Sequence, residues 1–193
     1  MIVCVSFVVF AALMNLSSVE AGFGFGGCPN QGVVDPFVQL TLTGTWYEFG
    51  KYAGLDQLVS ICTAIKYTPA SNGLINVEEE GITLFMKASR KGQMKRADPS
   101  QTEGKYSISF WTDAYKGREN DITAANYNVL AIDPTSYVII WNCFDALLFH
   151  IVNLRVITKD RVPSQSVIDE IYNELSDRQI STFGFARTSQ QNC

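Results

Sequence analysis

The 193-residue chain contains 15 lysine and arginine residues and 19 acidic residues, which gives a net charge of −4 at neutral pH. Its length fits a single domain, and its mild acidity without a long basic block excludes nucleic-acid binding. One histidine and five cysteines, with no Cys-x-x-Cys spacing, exclude a Cys/His metal centre and a dithiol redox motif.

Residues 1–21 are predicted to be a removable export signal. Residues 2–14 are almost entirely apolar but too few to span a bilayer, and Val19-Glu20-Ala21 fits a small-x-small cleavage site. No lysine or arginine precedes Lys51, so the basic amino-terminal region that signal peptides usually have is missing. The alternative interpretation of this segment is a buried amino-terminal strand or helix. Cleavage would leave residues 22–193 as one secreted domain.

The mature chain would open with a glycine-rich segment, residues 22–34, for which the sequence predicts an irregular arm. Residues 22–27 have the spacing G-x-G-x-x-G, but no strand precedes them, so a dinucleotide site is rejected. Four cysteines remain after the signal, and an even number in an exported chain predicts two disulfides. Spacing alone permits three pairings of Cys28, Cys62, Cys143 and Cys193.

Eight candidate strands follow the arm, separated by turn-forming sequences. They span 44–52, 60–68, 73–80, 83–95, 104–112, 126–132, 137–143 and 148–157. Many short strands without intervening helices indicate a sandwich or an up-and-down barrel. The segment 111–125, which contains Trp111 and Tyr115, is long for a hairpin connection and is therefore a candidate functional loop.

One helix is predicted late in the chain, with Pro163 in its first turn. Its apolar residues share one face, which is expected to pack outside a sheet: Val167, Ile168, Ile171, Tyr172 and Leu175. Residues 181–193 form a polar tail that Cys193 would hold down. The basic cluster within 87–96 is interpreted as a solvated strand face rather than an anion or membrane patch.

Three segments together resemble the lipocalin family. Gly44-Thr45-Trp46-Tyr47-Glu48 resembles its first sequence block, and residues 126–138, two strands joined by a turn with Asp133, resemble its second. Leu148-Phe149-His150, followed by a strand and Val162-Pro163, is similar to the last strand and helix entry of the apolipoprotein D group. The four mature cysteines also match the apolipoprotein D and insect bilin-binding group, and the resemblance covers roughly residues 28–193.

This resemblance implies an all-β fold, an eight-stranded antiparallel up-and-down barrel with one carboxy-terminal α-helix packed outside. It also implies the disulfides Cys28–Cys143 and Cys62–Cys193. In the family a tryptophan plugs the closed end of the barrel beneath a basic side chain. The residues implied to have structural roles here are Gly44, Trp46 and Asp133, with either Lys159 or Arg161 over the tryptophan.

The resemblance further implies extracellular binding and transport of one small hydrophobic ligand, such as a bilin, retinoid, sterol, carotenoid or fatty acid. The ligand would lie in an apolar cavity, and no cofactor would be required. Strand alternation predicts that Glu48, Gly50 and Tyr52 share the inward side of Trp46. The resemblance places Asn128 and Leu130 inward. With Trp111 near the mouth, the candidate ligand contacts are Glu48, Tyr52, Trp111, Asn128 and Leu130.

Two other classes of function are retained. One is a structural, storage or pigment-carrier lipocalin without transport turnover. The more remote one is a lipocalin-type enzyme, which would need a free cysteine because the sequence offers no Ser-His-Asp set and no metal-ligand cluster. His150 is interpreted as a structural residue rather than a haem ligand. Transient contact with a membrane or a receptor is compatible with a carrier.

Overall fold

The computed structural model describes residues 22–52, 60–83, 85–111 and 126–193. The predicted signal peptide and most of the predicted loop over 111–125 lie outside the described residues. The described elements, in chain order, are β1 (Phe23–Phe25), β2 (Gly44–Tyr52), β3 (Ser60–Pro69), β4 (Ile75–Thr83), β5 (Met86–Arg96), β6 (Lys105–Trp111), β7 (Tyr127–Asp133), β8 (Tyr137–Ala146), β9 (Phe149–Thr158), α1 (Gln165–Asp177) and β10 (Phe185–Arg187).

Strands β2 to β9 form a closed antiparallel barrel in which each strand pairs with the next along the chain. The barrel closes where β9 returns to β2, with Tyr47 opposite Thr158 and Lys51 opposite Arg155. Closure removes both free edges of the sheet. The predicted eight-stranded up-and-down barrel with one outer helix is therefore confirmed.

Beyond the barrel, β8 and β9 extend as a hairpin to which the short strand β1 adds. Phe23 lies opposite Ile151, and Phe25 lies opposite Phe149. Gly24 permits this approach, because a Cβ there would be 2.6 Å from the His150 ring. The prediction of an irregular arm is wrong at these residues. We call this extension, residues 23–25, 143–146 and 149–152, the flap.

Residues 185–190 fill a seam in the barrel wall where β2 and β3 separate. Strands β2 and β3 pair only over Gly44–Tyr47, whereas β10 pairs with Gly50, Lys51 and Tyr52. On the other side, the Cys62 amide donates to the Ser189 carbonyl at 2.8 Å. The Gln190 side-chain amide donates to the carbonyls of both Glu48 and Thr63. The polar tail is thus part of the wall, which its composition did not predict.

Alternation along the strands divides the core into two clusters. The inner cluster fills the barrel and includes Trp46, Ile65, Tyr67, Val77, Met94, Tyr106, Ile108, Tyr127, Val129, Val138, Ile140 and Ile157. The helix-side cluster lies between the barrel wall and α1 and includes Phe49, Tyr52, Leu130, Ile139, Trp141, Val156, Ile171 and Leu175. Membership of these clusters shows which strand residues point into the barrel.

Trp46 closes one end of the barrel. Its side chain is completely buried, and the indole Nε1 donates to the Leu42 carbonyl at 2.7 Å. Lys159 Nζ lies 3.9 Å from the centre of a Trp46 ring, within the range of a cation–π contact. Arg161 instead lies over Tyr47. The basic residue that covers Trp46 is therefore Lys159.

Helix α1 packs its predicted apolar face on the barrel. Ile171 and Leu175 are fully buried against the outer wall. The helix begins at Gln165, and the Ser164 hydroxyl caps it by accepting from the Val167 amide. Pro163 precedes this cap, so its predicted place in the first turn is wrong. Over the described residues, none of the helices has the length and apolar character needed to span a membrane.

Two disulfides join Cys28 to Cys143 and Cys62 to Cys193, the pairs implied by the lipocalin resemblance. The first attaches the amino-terminal arm to β8, and the second attaches the tail to β3.

Replacing both Cys62 and Cys193 with serine is expected to lower the free energy of unfolding by roughly 2–5 kcal/mol, because the crosslink restricts a long loop in the unfolded chain. Urea denaturation of the variant and the parent measures this loss. A peptide map under non-reducing conditions that joins Cys28 to Cys62 would contradict the pairing itself.

Candidate functional site

The described residues of the barrel line an outer and an inner cavity. The outer cavity, about 500 Å³, is lined from β2, β3, β4, β5 and β9, and the inner cavity, about 160 Å³, lies deeper. Glu79, Asn153 and Arg155 line both cavities and so stand between them. The outer volume falls within the range of small-molecule sites in proteins.

Five charged side chains form an ionic cluster beside these cavities: Glu48, Lys51, Glu79, Arg90 and Arg155. Arg155 joins the two carboxylates, with Nη2 2.6 Å from Glu48 Oε2 and Nη1 2.9 Å from Glu79 Oε2. Lys51 Nζ lies 2.9 Å from Glu48 Oε1, and Arg90 Nη2 lies 3.0 Å from Glu79 Oε1. The prediction of an apolar cavity is therefore wrong for the outer cavity, whose described lining has a charged side.

Burial and ion pairing shift the pKa values of the groups in this cluster in opposite directions. Burial opposes the charge of Glu79, but Arg155 and Arg90 outweigh it and lower its pKa to about 2. Burial likewise opposes the charge of Glu48, whose pKa is lowered by Arg155 and Lys51. Burial would lower the pKa of Arg155, but the two carboxylates raise it well above its ordinary value. All three groups are therefore charged at neutral pH.

Apart from Glu79 and Arg155, the inner cavity is lined by apolar and neutral polar groups. The hydroxyls of Tyr67 and Tyr127 share a hydrogen bond of 2.8 Å. Burial raises the pKa of Tyr67 to about 12 and raises the pKa of Tyr127 well above its ordinary value, so both remain neutral at neutral pH. The amide side chains of Asn126, Asn142 and Asn153 also line this cavity. Such a surface can exchange hydrogen bonds with a polar group of a ligand.

Of the predicted contacts on β2, Glu48 points into the barrel but lines neither of the two cavities, whereas Tyr52 belongs to the helix-side cluster and still borders the outer cavity. A bulge between Glu48 and Gly50 shifts the pairing of β2 with β9. Beyond the bulge, Lys51 points inward, whereas Tyr52 joins the helix-side cluster and its hydroxyl donates to the Ser181 carbonyl. The inward prediction for Gly50 and Tyr52 is therefore wrong, because a bulge reverses strand alternation.

The inward prediction is also wrong for Asn128 and Leu130. Their neighbours Tyr127 and Val129 belong to the inner cluster, and Leu130 lies in the helix-side cluster. Asn128 pairs with Trp141 of the helix-side cluster, so it shares that outer face. The side chain of Trp111 and residue Tyr115 lie outside the described residues.

The basic segment 87–96 has two faces, which corrects its interpretation as a solvated face. Arg90 lines the outer cavity and lies over the Phe110 ring. The Arg96 guanidinium donates to the carbonyls of Glu103 and Phe37. Lys87 and Lys91 remain exposed on the other face. Arg90 and Arg96 lie on the same face of β5. Only the pairing of β5 with its neighbouring strands shows that this face points into the barrel.

Two of the residues to which the lipocalin resemblance assigns structural roles, Gly44 and Asp133, lie at strand ends in this structure. Gly44 has a φ of +105°, which glycine tolerates at the start of β2. Asp133 accepts hydrogen bonds from the Thr135 amide and the Ser136 hydroxyl in the β7–β8 turn, and these bonds lower its pKa. His150 is buried, with Nδ1 3.1 Å from the Gly26 carbonyl oxygen. No cluster of three or more metal-ligating side chains occurs among the residues described.

No family model matches the sequence. The Lazarillo protein of Schistocerca americana is 23% identical over 188 residues, covering 94% of this chain and 83% of that protein.

Solved structures share the fold at low sequence identity. Insecticyanin from Manduca sexta has a TM-score of 0.72 and 19% identity, with 90% of this chain and 91% of that chain covered. The amine-binding protein of Rhodnius prolixus, solved as a tryptamine complex, has a TM-score of 0.63 and 17% identity, with 84% and 86% covered.

The closed barrel, its tryptophan plug under Lys159 and the solved structures that superpose on most of the chain all agree on one fold. This chain therefore has the lipocalin fold.

Proposed function

We propose that this protein is a secreted carrier that holds one small lipophilic molecule inside its barrel. The observation that carries the proposal is the outer cavity of about 500 Å³, which is lined by five strands of a disulfide-linked barrel. Structural relatives support a binding role, since one of them was solved with tryptamine bound. The two disulfides and the predicted signal at residues 1–21 support export.

Titration of the delipidated protein tests this function. The panel consists of a bilin, a retinoid, a sterol and a long-chain fatty acid, each followed by the ligand's own absorbance or fluorescence. We expect saturable binding of one molecule per chain at micromolar concentration or below. Absence of binding to every ligand would remove the carrier function and favour a storage or structural lipocalin.

A cavity-filling variant locates the bound molecule. Ala88 lines the outer cavity, whereas its neighbour Lys87 lies on the opposite face of β5. Ala88→Trp is expected to weaken binding by at least about tenfold, because the indole occupies space that the ligand needs. Lys87→Trp places the same ring outside the barrel and is expected to bind like the parent. Equal affinity of both variants would place the ligand elsewhere.

A further inference from the structure

The charges of the ionic cluster do not balance. Lys51, Arg90 and Arg155 contribute three positive charges, and Glu48 and Glu79 contribute two negative charges, so the cluster carries a net charge of +1. Glu80 also borders the outer cavity, but it is exposed and alternates to the opposite face of β4 from Glu79. The described interior of the barrel thus has a positive charge without a matching carboxylate.

Counting only the contacts among the described residues, Lys51 and Arg90 keep N–H donors that are available to the outer cavity. The Lys51 ammonium contacts one carboxylate oxygen, of Glu48, and only the Nη2 nitrogen of Arg90 contacts Glu79. An ammonium has three N–H donors and a guanidinium five. The hydroxyls of Ser60 and Thr63, 3.2 Å apart, line the same cavity. These groups together can bind an anion.

The flap provides an apolar surface that continues from this polar site. Positions 155, 153, 151 and 149 of β9 share one face, because β9 pairs with β8 without interruption. Arg155 and Asn153 line the outer cavity, and Ile151 and Phe149 follow at about 7 and 13 Å beyond Asn153 along the strand. Phe144 pairs with Ile151 on this face.

Strand β1 widens the same apolar surface. Phe23 lies opposite Ile151 and Phe25 opposite Phe149, and the Phe23 and Phe149 ring centres are 4.9 Å apart. Phe25 and Phe144 are 88% and 63% exposed, so this surface has no cover among the described residues. A charged pocket that continues into an exposed apolar surface matches a molecule with one polar end and one apolar end.

We propose that the carried ligand is a lipophilic carboxylate, such as a long-chain fatty acid, whose carboxylate is bound by Lys51 and Arg90. Its hydrocarbon part leaves the outer cavity and continues onto the flap, against Phe144, Phe149 and Ile151. This proposal rests on the carrier function and specifies the chemical class of the ligand. The carboxylate would neutralise the excess charge of the ionic cluster, and charge-assisted hydrogen bonds are the stronger kind.

Oleate and oleyl alcohol test the proposal, because they share a hydrocarbon chain and differ in the charge of the head group. We expect the protein to bind oleate at least about tenfold more tightly than oleyl alcohol at neutral pH. Retinoic acid and retinol form a second matched pair with a different apolar part. Displacement of a fluorescent fatty acid from the full protein gives all four affinities.

Three variants assign the preference to the named cations. Arg90→Met and Lys51→Met are each expected to reduce the ratio of oleate to oleyl alcohol affinity by about tenfold, with little change for the alcohol. Lys66→Met is the matched control, since Lys66 is exposed on the outer face of β3 and should leave the ratio unchanged. Arg90 is about half-exposed, so its variant keeps the test valid if Lys51→Met fails to fold.

The outcomes separate this proposal from the carrier function. Equal affinities for oleate and oleyl alcohol, or a ratio that Arg90→Met leaves intact, would overturn the carboxylate site while the carrier function stands. Tighter binding of tryptamine than of oleate would also overturn it, since a cation should be repelled by the excess positive charge. Failure of every ligand to bind would instead contradict the carrier function itself.

Discussion

Arg155→Met is expected to destabilise the barrel by about 3–5 kcal/mol at neutral pH, because it leaves two buried carboxylates without their shared partner. Glu48 has no exposed side-chain surface, and Glu79 is 14% exposed. Urea denaturation of parent and variant measures the difference. Arg161→Met is the matched control, since Arg161 is exposed and covers Tyr47 at the surface. Equal stability of the two variants would contradict the structural role of Arg155.

The pH dependence of this loss gives an independent check. In the parent, the pKa of Glu79 is lowered from 4.5 to about 2, so its pairing stabilises the fold fully above pH 4.5. That contribution is lost as the pH falls from 4.5 towards 2. The cost of Arg155→Met should therefore be largest at neutral pH and should shrink below pH 4.5. A cost that grows on acidification would contradict this account.

Trp46→Ala is expected to lower the free energy of unfolding by about 3–5 kcal/mol, as for other fully buried large aromatic side chains. The change also removes the indole that donates to Leu42 and that Lys159 covers. Trp46 lines neither cavity among the residues described, so ligand affinity per folded molecule should stay close to that of the parent.

Lys159→Met serves as the control for the tryptophan plug. A cation–π contact is worth about 0.5–1 kcal/mol at a partly exposed site, so this variant should lose far less stability than Trp46→Ala. Thermal melting of the parent and both variants gives the order of stability. A Trp46→Ala variant that melts like the parent would show that the ring is not a structural plug.

The sequence predicted the barrel well because its strands have clear local signals. Strict alternation over Tyr106–Phe110 and turn residues such as Ser71-Asn72-Gly73 fix strands and their limits without reference to distant residues. The predicted strand 104–112 is β6 (Lys105–Trp111), and the predicted strand 60–68 is β3 (Ser60–Pro69). The Gly44-Thr45-Trp46 motif likewise led to the buried plug at the correct residue.

The direction of individual side chains was harder to predict, because it depends on pairing between distant strands. The bulge after Glu48 lies on the pairing of β2 with β9, and a second irregularity lies between Val129 and Ala131 of β7. A single extra residue moves every later side chain to the opposite face. Nothing local to Lys51-Tyr52 indicates that this has happened.

The ionic cluster could not be predicted from the sequence, for a related reason. Arg155 is 107 residues from Glu48 and 76 residues from Glu79, so no short spacing marks the group. Each member alone resembles an ordinary charged residue of a solvated strand. Only closure of the barrel brings β9 beside β2 and turns these charges towards one another.

The segment that fills the seam in the barrel wall is synthesised last, so the seam stays open while the chain is being made. Cys62 and its partner Cys193 are separated by 131 residues, and the segment that fills the gap between β2 and β3 emerges only after the rest of the barrel. At synthesis rates of about 5–20 residues per second, the gap stays open for roughly 7–26 seconds. During that interval the Gly50–Tyr52 edge lacks its pairing strand, and an unpaired edge invites association with other chains. Nascent chains should therefore depend most on chaperones in this interval, before residues 185–190 reach the wall.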